Sequence, residues 1–420
     1  MKSLLKSKPS GFIPAVLLVG VLIATFALPH SSQFGAYKLL TYGYGFGPGG
    51  GCLTPPLQYH PITPARILDT RGGSPLGGNS TMDVAVGGHG GVPLAATAAV
   101  INVTVTNTTA GSYLTVYPKG APRPLASNIN WTAGKTVPNL VEIQLGAGGM
   151  LTVYNAYGNT DLIFDVNGYV SGPPVGCPTD GLYRSLVPSR ILDTRMSAQV
   201  PGNSSIDVQV TGAGGVPAAG VEAVTLNITV TNASAGSYIT AYPTGSARPL
   251  ASNLNFVAGQ TVPNRVIVKL GTGGKVTLYN AYGNVDVIVD VNGWFTDGSG
   301  STQATGSGDV FFGTSPSRIL DTRGGGAIPG NSSIVVTVTG VPAGAHTAVI
   351  NVTATNPTSA SYLTIWPDGA PRPLASDLNF VAGLTIANLV IVQMGPGNKV
   401  DIYNAYGSTD VVVDLVGWYS

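Results

Sequence analysis

Charge is scarce in this sequence. Asp, Glu, Lys and Arg make up 9% of its 420 residues and the net charge is +1, where about a quarter charged is usual. A chain so poor in ions carries no Lys/Arg stripe to neutralise a run of phosphates, which excludes an extended nucleic-acid interface. It also has no long-range field with which to steer an ionic partner. The four histidines, His30, His60, His89 and His346, recur at no common position and stand near no Cys or carboxylate at ligand spacing. Zinc sites and Ser-His-Asp or Cys-His catalysis therefore lack a constellation, as do EF-hand loops. Neither a metal nor a cofactor is expected. Helical patterning is missing too, since no window beyond residue 30 shows an apolar stripe of period 3.6.

Cysteine is limited to Cys52 and Cys177. In an oxidising compartment an internal bridge would tie the two ends of the first repeat described below, contributing about 4–5 kcal/mol in the chain-entropy account. The other reading is two free or intermolecularly paired thiols. What the chain does have is Gly (58), Pro (31) and many Thr, Asn and Ser. That composition punctuates short strands well and long helices badly.

The N-terminus bears on compartment. Lys2, Lys6 and Lys8 precede an uncharged run from Gly11 to Leu28, the pattern of an export signal. Its length borders on the ~17–25 residues of a membrane span. Residues 1–30 are expected to be a hydrophobic helix, either cleaved as a signal peptide or retained as a membrane anchor. Everything beyond then lies outside the cytoplasm. Residues 31–57 read as a Gly/Tyr/Pro-rich stalk.

The dominant feature is a repeat of about 125 residues. Arg66-Ile67-Leu68-Asp69-Thr70-Arg71 returns at 190–195 and 318–323, and the strand ending in Asn107 returns at Asn232 and Asn356. Arg123-Pro124-Leu125-Ala126-Ser127-Asn128 returns at 248–253 and 372–377, with Asp377 in place of the final Asn. Tyr154-Asn155-Ala156-Tyr157-Gly158 recurs unaltered at 279–283 and 403–407, and each copy closes on an Asp-Val-Asn-Gly-Tyr-like segment. Each copy is large enough to be a domain. The predicted boundaries are modules at 58–170, 183–296 and 310–420, joined by linkers at 171–182 and 297–309.

Within a copy the apolar period is two. Ile101, Val103 and Val105 alternate with Asn102, Thr104 and Thr106, which predicts a strand with one face in the core and one in water. Met150–Tyr154 and Asp161–Val166 flank the Tyr-Asn-Ala-Tyr-Gly connector and read as a terminal hairpin. The expectation is an all-β fold of three tandem two-sheet β-sandwich modules, jelly rolls among the options.

This string of motifs, from R-I-L-D-T-R through N-V-T-V-T-N, G-S-Y-L-T-V-Y-P and R-P-L-A-S-N to D-V-N-G-Y, resembles a repeat module of secreted and wall-associated bacterial proteins. The resemblance spans nearly all of the chain beyond the stalk. It implies export and a surface location, but no ligand, since that family is largely uncharacterised.

Two weak phosphate-loop echoes are rejected: Lys135 is replaced in the other copies by Gln260 and Leu384, and Gly45, Gly47 and Gly50 lack a strand–helix context. Asn-x-Ser/Thr triplets at Asn102, Asn107, Asn130, Asn227 and Asn351 are read as solvent-face strand residues. The recurring ions are assigned to a structural network, with a ligand or calcium site as the alternative: Asp69, Arg71 and Asp165, then Asp193, Arg195 and Asp290, then Asp321, Arg323 and Asp414. A carboxylate set in an apolar strand needs a partner, and Arg supplies the fork. Recognition is assigned to Tyr157, Tyr282 and Tyr406, whose rings can stack on a sugar, and to Arg123, Arg248 and Arg372. The alternative for both sets is that they fold back and seal loops.

The expected function is a non-catalytic, exported, extracellular or cell-surface repeat protein, adhesive or binding a glycan, the cell wall or a neighbouring surface protein. A structural spacer or self-assembling surface-layer or matrix subunit is the alternative, and an exported carbohydrate-active hydrolase a distant one. A membrane is contacted only through the N-terminal segment if uncleaved.

Overall fold

The computed structural model describes residues 57–172, 179–299 and 308–420. The N-terminal hydrophobic segment, the stalk up to residue 56, Gly45, Gly47, Gly50, Cys52 and Cys177 lie outside the described residues. Among the described residues no helix is long and apolar enough to cross a membrane.

The chain is all-β. Its first repeat forms β1 (Gln58–Asp69), β2 (Ser80–Ala85), β3 (Ala98–Thr106), β4 (Ser112–Pro118), β5 (Ile129–Trp131), β6 (Val137–Gln144), β7 (Met150–Asn155) and β8 (Asp161–Ser171). The second forms β9 (Asp180–Asp193), β10 (Ser204–Gln209), β11 (Val221–Thr231), β12 (Ser237–Pro243), β13 (Leu254–Phe256), β14 (Val262–Lys269), β15 (Lys275–Asn280) and β16 (Asp286–Asp297). The third forms β17 (Phe311–Asp321), β18 (Ile328–Pro329), β19 (Ser332–Thr337), β20 (Thr347–Thr355), β21 (Ser361–Pro367), β22 (Leu378–Phe380), β23 (Ile386–Gln393), β24 (Lys399–Asn404) and β25 (Ser408–Tyr419). Val, Ile, Thr and Tyr fill these strands, the residues that suit a pleated and packed surface.

Each copy makes two antiparallel sheets. In the first copy the orders are β1-β8-β3-β6 and β2-β7-β4-β5. The second and third copies repeat both orders, with the two-residue β18 added against β25. An apolar cluster lies between the two sheets of every copy; in the first it gathers Val84, Val103, Leu114, Val153 and Phe164, with counterparts in the other two. Burying each such side chain contributes about 1.5–3 kcal/mol.

A further cluster belongs to no single copy. Tyr59, Val100 and Leu140 pack with Tyr183, Ile267 and Phe295 and with Phe311, Leu389 and Tyr419, all from the inner sheets (those containing β1, β9 and β17). The glycine of each closing motif permits this approach: a Cβ at Gly168, Gly293 or Gly417 would come within 2.2–2.5 Å of the side chain of Tyr59, Tyr183 or Phe311. The expectation of three tandem sandwich modules is therefore corrected. Six small sheets, the count and blade size of a six-bladed propeller, are held in one body through an apolar centre that the three inner sheets share.

Two finer expectations fall with it. The polar face of the β3 strand is not in water, for every residue of β3 except Thr106 is buried. Asn102, Asn227 and Asn351 are buried as well, because that face is the contact between copies. And β7 and β8 are not a hairpin, since β7 pairs with β2 and β4 while β8 pairs with β1 and β3. The Tyr-Asn-Ala-Tyr-Gly segment is instead the crossover from outer to inner sheet. Asn155 fixes it by donating from Nδ2 to the Gly158 carbonyl at 2.8 Å and to the Leu76 carbonyl at 3.1 Å.

Candidate functional site

The three copies are joined by a cyclic set of asparagine bonds. Asn102 Nδ2 donates to the Ser252 carbonyl (2.7 Å), Asn227 to Ser376 (2.7 Å) and Asn351 to Ser127 (2.6 Å). The carboxamide oxygens of Asn102, Asn227 and Asn351 accept from Asn264, Asn388 and Asn139 at 3.0–3.1 Å. Copy one therefore leans on copy two, two on three, and three on one. The acceptor serine in every case belongs to the Arg-Pro-Leu-Ala-Ser loop, itself pinned by Thr115 Oγ1 to the Ala126 carbonyl at 2.6 Å and its equivalents.

This arrangement builds clefts. Between copies one and two, a cleft of about 410 Å³ is lined by Arg66, Arg71, Thr104, Thr106 and Thr136 on one side and by Tyr238, Arg248, Leu250 and Asn255 on the other. Between copies two and three, a cleft of about 420 Å³ is lined by Arg190, Arg195, Thr229, Thr231 and Thr261 and by Tyr362, Arg372, Leu374 and Asn379. Position for position the residue types match. At the third junction Arg318 Nη2 donates to the Leu125 carbonyl at 3.2 Å. A separate, more apolar hollow of about 440 Å³ is shared by all three copies, through Trp131 and Lys135, Phe256 and Gln260, and Val381 and Leu384.

The ionic network differs from the expected one in its connection. Asp69 does pair with Arg71, at 2.9 Å from Nε and 2.6 Å from Nη2, but Asp165 is bound by Arg66. Arg66 grips both Asp165 oxygens (Nε 2.8 Å, Nη2 3.1 Å) and reaches Asp69 through Nη1 at 3.2 Å. Arg190 joins Asp290 to Asp193, and Arg318 joins Asp414 to Asp321, in the same way. Strict alternation would have put Arg66 on the face away from Asp69. A register shift between Arg66 and Leu68 against β8 breaks that alternation. The Arg71 hydrogen bonds hold the Asp69 carboxyl down to about 2. Burial pushes Asp165 upward, opposed by the Arg66 bond.

The expected recognition residues are placed as follows. Tyr157, Tyr282 and Tyr406 sit on the crossovers and are 64%, 63% and 63% exposed. The Tyr282 and Tyr406 rings stand edge-on to Tyr238 and Tyr362 at 6.4 Å. Arg123, Arg248 and Arg372 lie over the rings of Tyr154, Tyr279 and Tyr403, with the guanidinium carbon 3.8, 3.8 and 3.6 Å from the ring centroid. Such a stack contributes about 0.5–1 kcal/mol at an exposed site. Sequence reasoning missed Arg66, Tyr238 and Tyr362 as participants, and the exposed leucines Leu125, Leu250 and Leu374. All of these recur in every copy's motifs, which was the available signal.

Among the described residues no three His, Cys, Asp or Glu side chains gather as a metal-holding group. No protein-family model matches the chain, nor does any curated protein. Among solved structures it is similar to a chain from the triple jelly roll fold and turret assembly in an archaeal virus, at 12% identity over 87% of this chain and 90% of that one, TM-score 0.19. It is also similar to the N-terminal CBM22-1–CBM22-2 tandem domain of Paenibacillus barcinonensis Xyn10C, at 11% identity over 56% and 98%, TM-score 0.17. Likenesses this shallow decide neither fold nor function.

Proposed function

We propose that this chain is a non-catalytic, exported cell-surface protein that binds glycan or cell-wall polymer through its copy-to-copy clefts. The observation that carries the reading is the matched pair of clefts, each with a half-buried tyrosine, a ring of hydroxyls and amides, and an arginine laid on a second aromatic. Aromatic faces with a few oriented polar groups suit sugar rings. Two like sites on one body lend avidity to a weak contact. The strand order of each copy, 1-8-3-6 facing 2-7-4-5, supports reading each facing pair of sheets as a jelly roll within the ring.

The test is retention of the full chain on cell-wall sacculi and on a glycan panel, beside a variant carrying Tyr238→Ala and Tyr362→Ala. The wild type is expected to be retained, and the variant released while keeping its melting temperature. Equal retention of both would remove the clefts from the reading. A chain that no surface retains but that self-associates would favour the spacer or matrix-subunit reading, for which Leu125, Leu250 and Leu374 offer exposed apolar contacts.

A further inference from the structure

We infer that the two clefts select an acidic glycan, one carboxylate-bearing sugar residue per cleft; this rests on the glycan-binding reading above. The argument is one of charge. The cleft between copies one and two is lined by three arginines and no carboxylate-bearing residue. Two of the three are spoken for: Arg66 faces Asp165 and Asp69, and Arg71 faces Asp69. Two carboxylates thus neutralise two guanidinium groups beside the cleft.

Arg248 is different. It is exposed, it lies 3.8 Å over the Tyr279 ring, and it appears in no ion pair among the described residues. Contact with the ring positions the guanidinium group while its exposure leaves N–H groups free, and an arginine N–H edge is the fork that takes a carboxylate through two parallel bonds. The ring beneath it pre-pays part of the ordering cost of a long side chain. Beside the stack stands Tyr238, 6.3 Å from Tyr279 and lining the cleft, a platform for the sugar whose acid group Arg248 would hold. Arg372, Tyr403 and Tyr362 repeat the set between copies two and three. Both cleft volumes fall within the ~300–1,000 Å³ of small-ligand sites.

One net positive charge per cleft, presented twice, suits a polymer with an acid on its repeating unit better than a densely charged one. The probes are polygalacturonate and the same polymer after carboxyl reduction, which keeps the sugar chain and removes the acid. Binding is measured by affinity electrophoresis and calorimetry on the full chain. The expected result is at least tenfold tighter binding of the acidic form, lost in the Arg248→Gln/Arg372→Gln double variant, which stays folded with its melting temperature lowered only by the loss of the two stacks. Lys135→Gln, which removes a cation outside the clefts, should leave the preference intact.

Equal affinity for both polymers, or a preference that survives in the double variant, overturns the inference and leaves the glycan-binding reading standing. A preference removed by Lys135→Gln also overturns it, by showing general attraction to positive charge. Binding to neither polymer together with no retention on sacculi or glycans sinks both.

Discussion

The clefts at the periphery and the centre of the ring treat the repeat in opposite ways. At the clefts the copies agree residue for residue, down to the tyrosine, the stacked arginine and the bridged aspartates. At the centre they diverge. Where the first and third copies place Leu140 and Leu389, the second places Arg265, fully buried. Its Nη2 donates to Asp377 at 2.7 Å and its Nε to the Leu389 carbonyl at 3.2 Å. Asp377 is the one departure from the Arg-Pro-Leu-Ala-Ser-Asn motif, and it lies in the copy that Arg265 faces. Its other oxygen still accepts from the Ile365 amide at 2.8 Å, the task Asn128 performs for Val116 at 2.7 Å. Likewise Glu142 stands where the others carry Ile267 and Ile391, and it meets the hydroxyl of Tyr419 at 2.5 Å, where the other copies end in Val170 and Phe295. What faces outward is kept alike, and so is the asparagine set between copies; the differences fall at the centre, where Arg265 meets Asp377 and Glu142 meets Tyr419.

The sharpest way to break this contrast is at the buried pair. Asp377→Asn restores the residue of the other copies but strands a guanidinium that cannot shed its charge, at an expected cost of about 3–5 kcal/mol. Adding Arg265→Leu, so that both positions match the first copy, should recover most of that loss in denaturant titrations. A double variant as unstable as the single one would show that the two do not act as a pair.

Next in size is Glu142. Burial pushes its carboxyl up to about 8, with the Tyr419 hydrogen bond pulling the other way. The folded state therefore holds a proton that the unfolded state releases near its ordinary value of 4.5. That contribution is complete below the unfolded value and is lost as pH rises through about 8. Glu222, raised to about 7 chiefly by burial, adds a slope of the same sign. The melting temperature should fall from about pH 5 to pH 8, and Glu142→Gln should flatten the curve by removing the Glu142 contribution. An unchanged slope would exclude Glu142 as its source.

The smallest effect is expected at the periphery. Arg71 is half-exposed and Asp69 partly so, hence Arg71→Gln should cost less than about 1 kcal/mol. The change to look for is in the Asp69 carboxyl, whose NMR titration should move from about 2 toward the ordinary carboxylate range. A large loss of stability there would erase the distinction between centre and edge.

Much of the strand content was legible, because alternation over Ile101–Thr106 and its copies is a direct imprint of the pleat. The assembly was not. A residue repeated three times, such as Asn102, reads the same whether it faces water or the next copy, since identical copies make identical junctions. Period-two reasoning also fails at a bulge: it places Arg66 on the face away from the carboxylates it binds. The crossover at Asn155–Gly158 mimics a hairpin because two strands flanking a short turn look alike whether they pair or pass between sheets. The Asn-to-Asp change at 377 was visible as a departure, but its meaning lay in a second departure at 265, 112 residues away.

The pairing of Arg265 with Asp377 gives the ring an order of units that duplication alone does not supply. Rotating the gene so that the second unit comes first would keep every neighbour in place, whereas transposing two units would set Arg265 against an asparagine. Sequence exchange among the units is free to homogenise the outward motifs, and is penalised at these two codons.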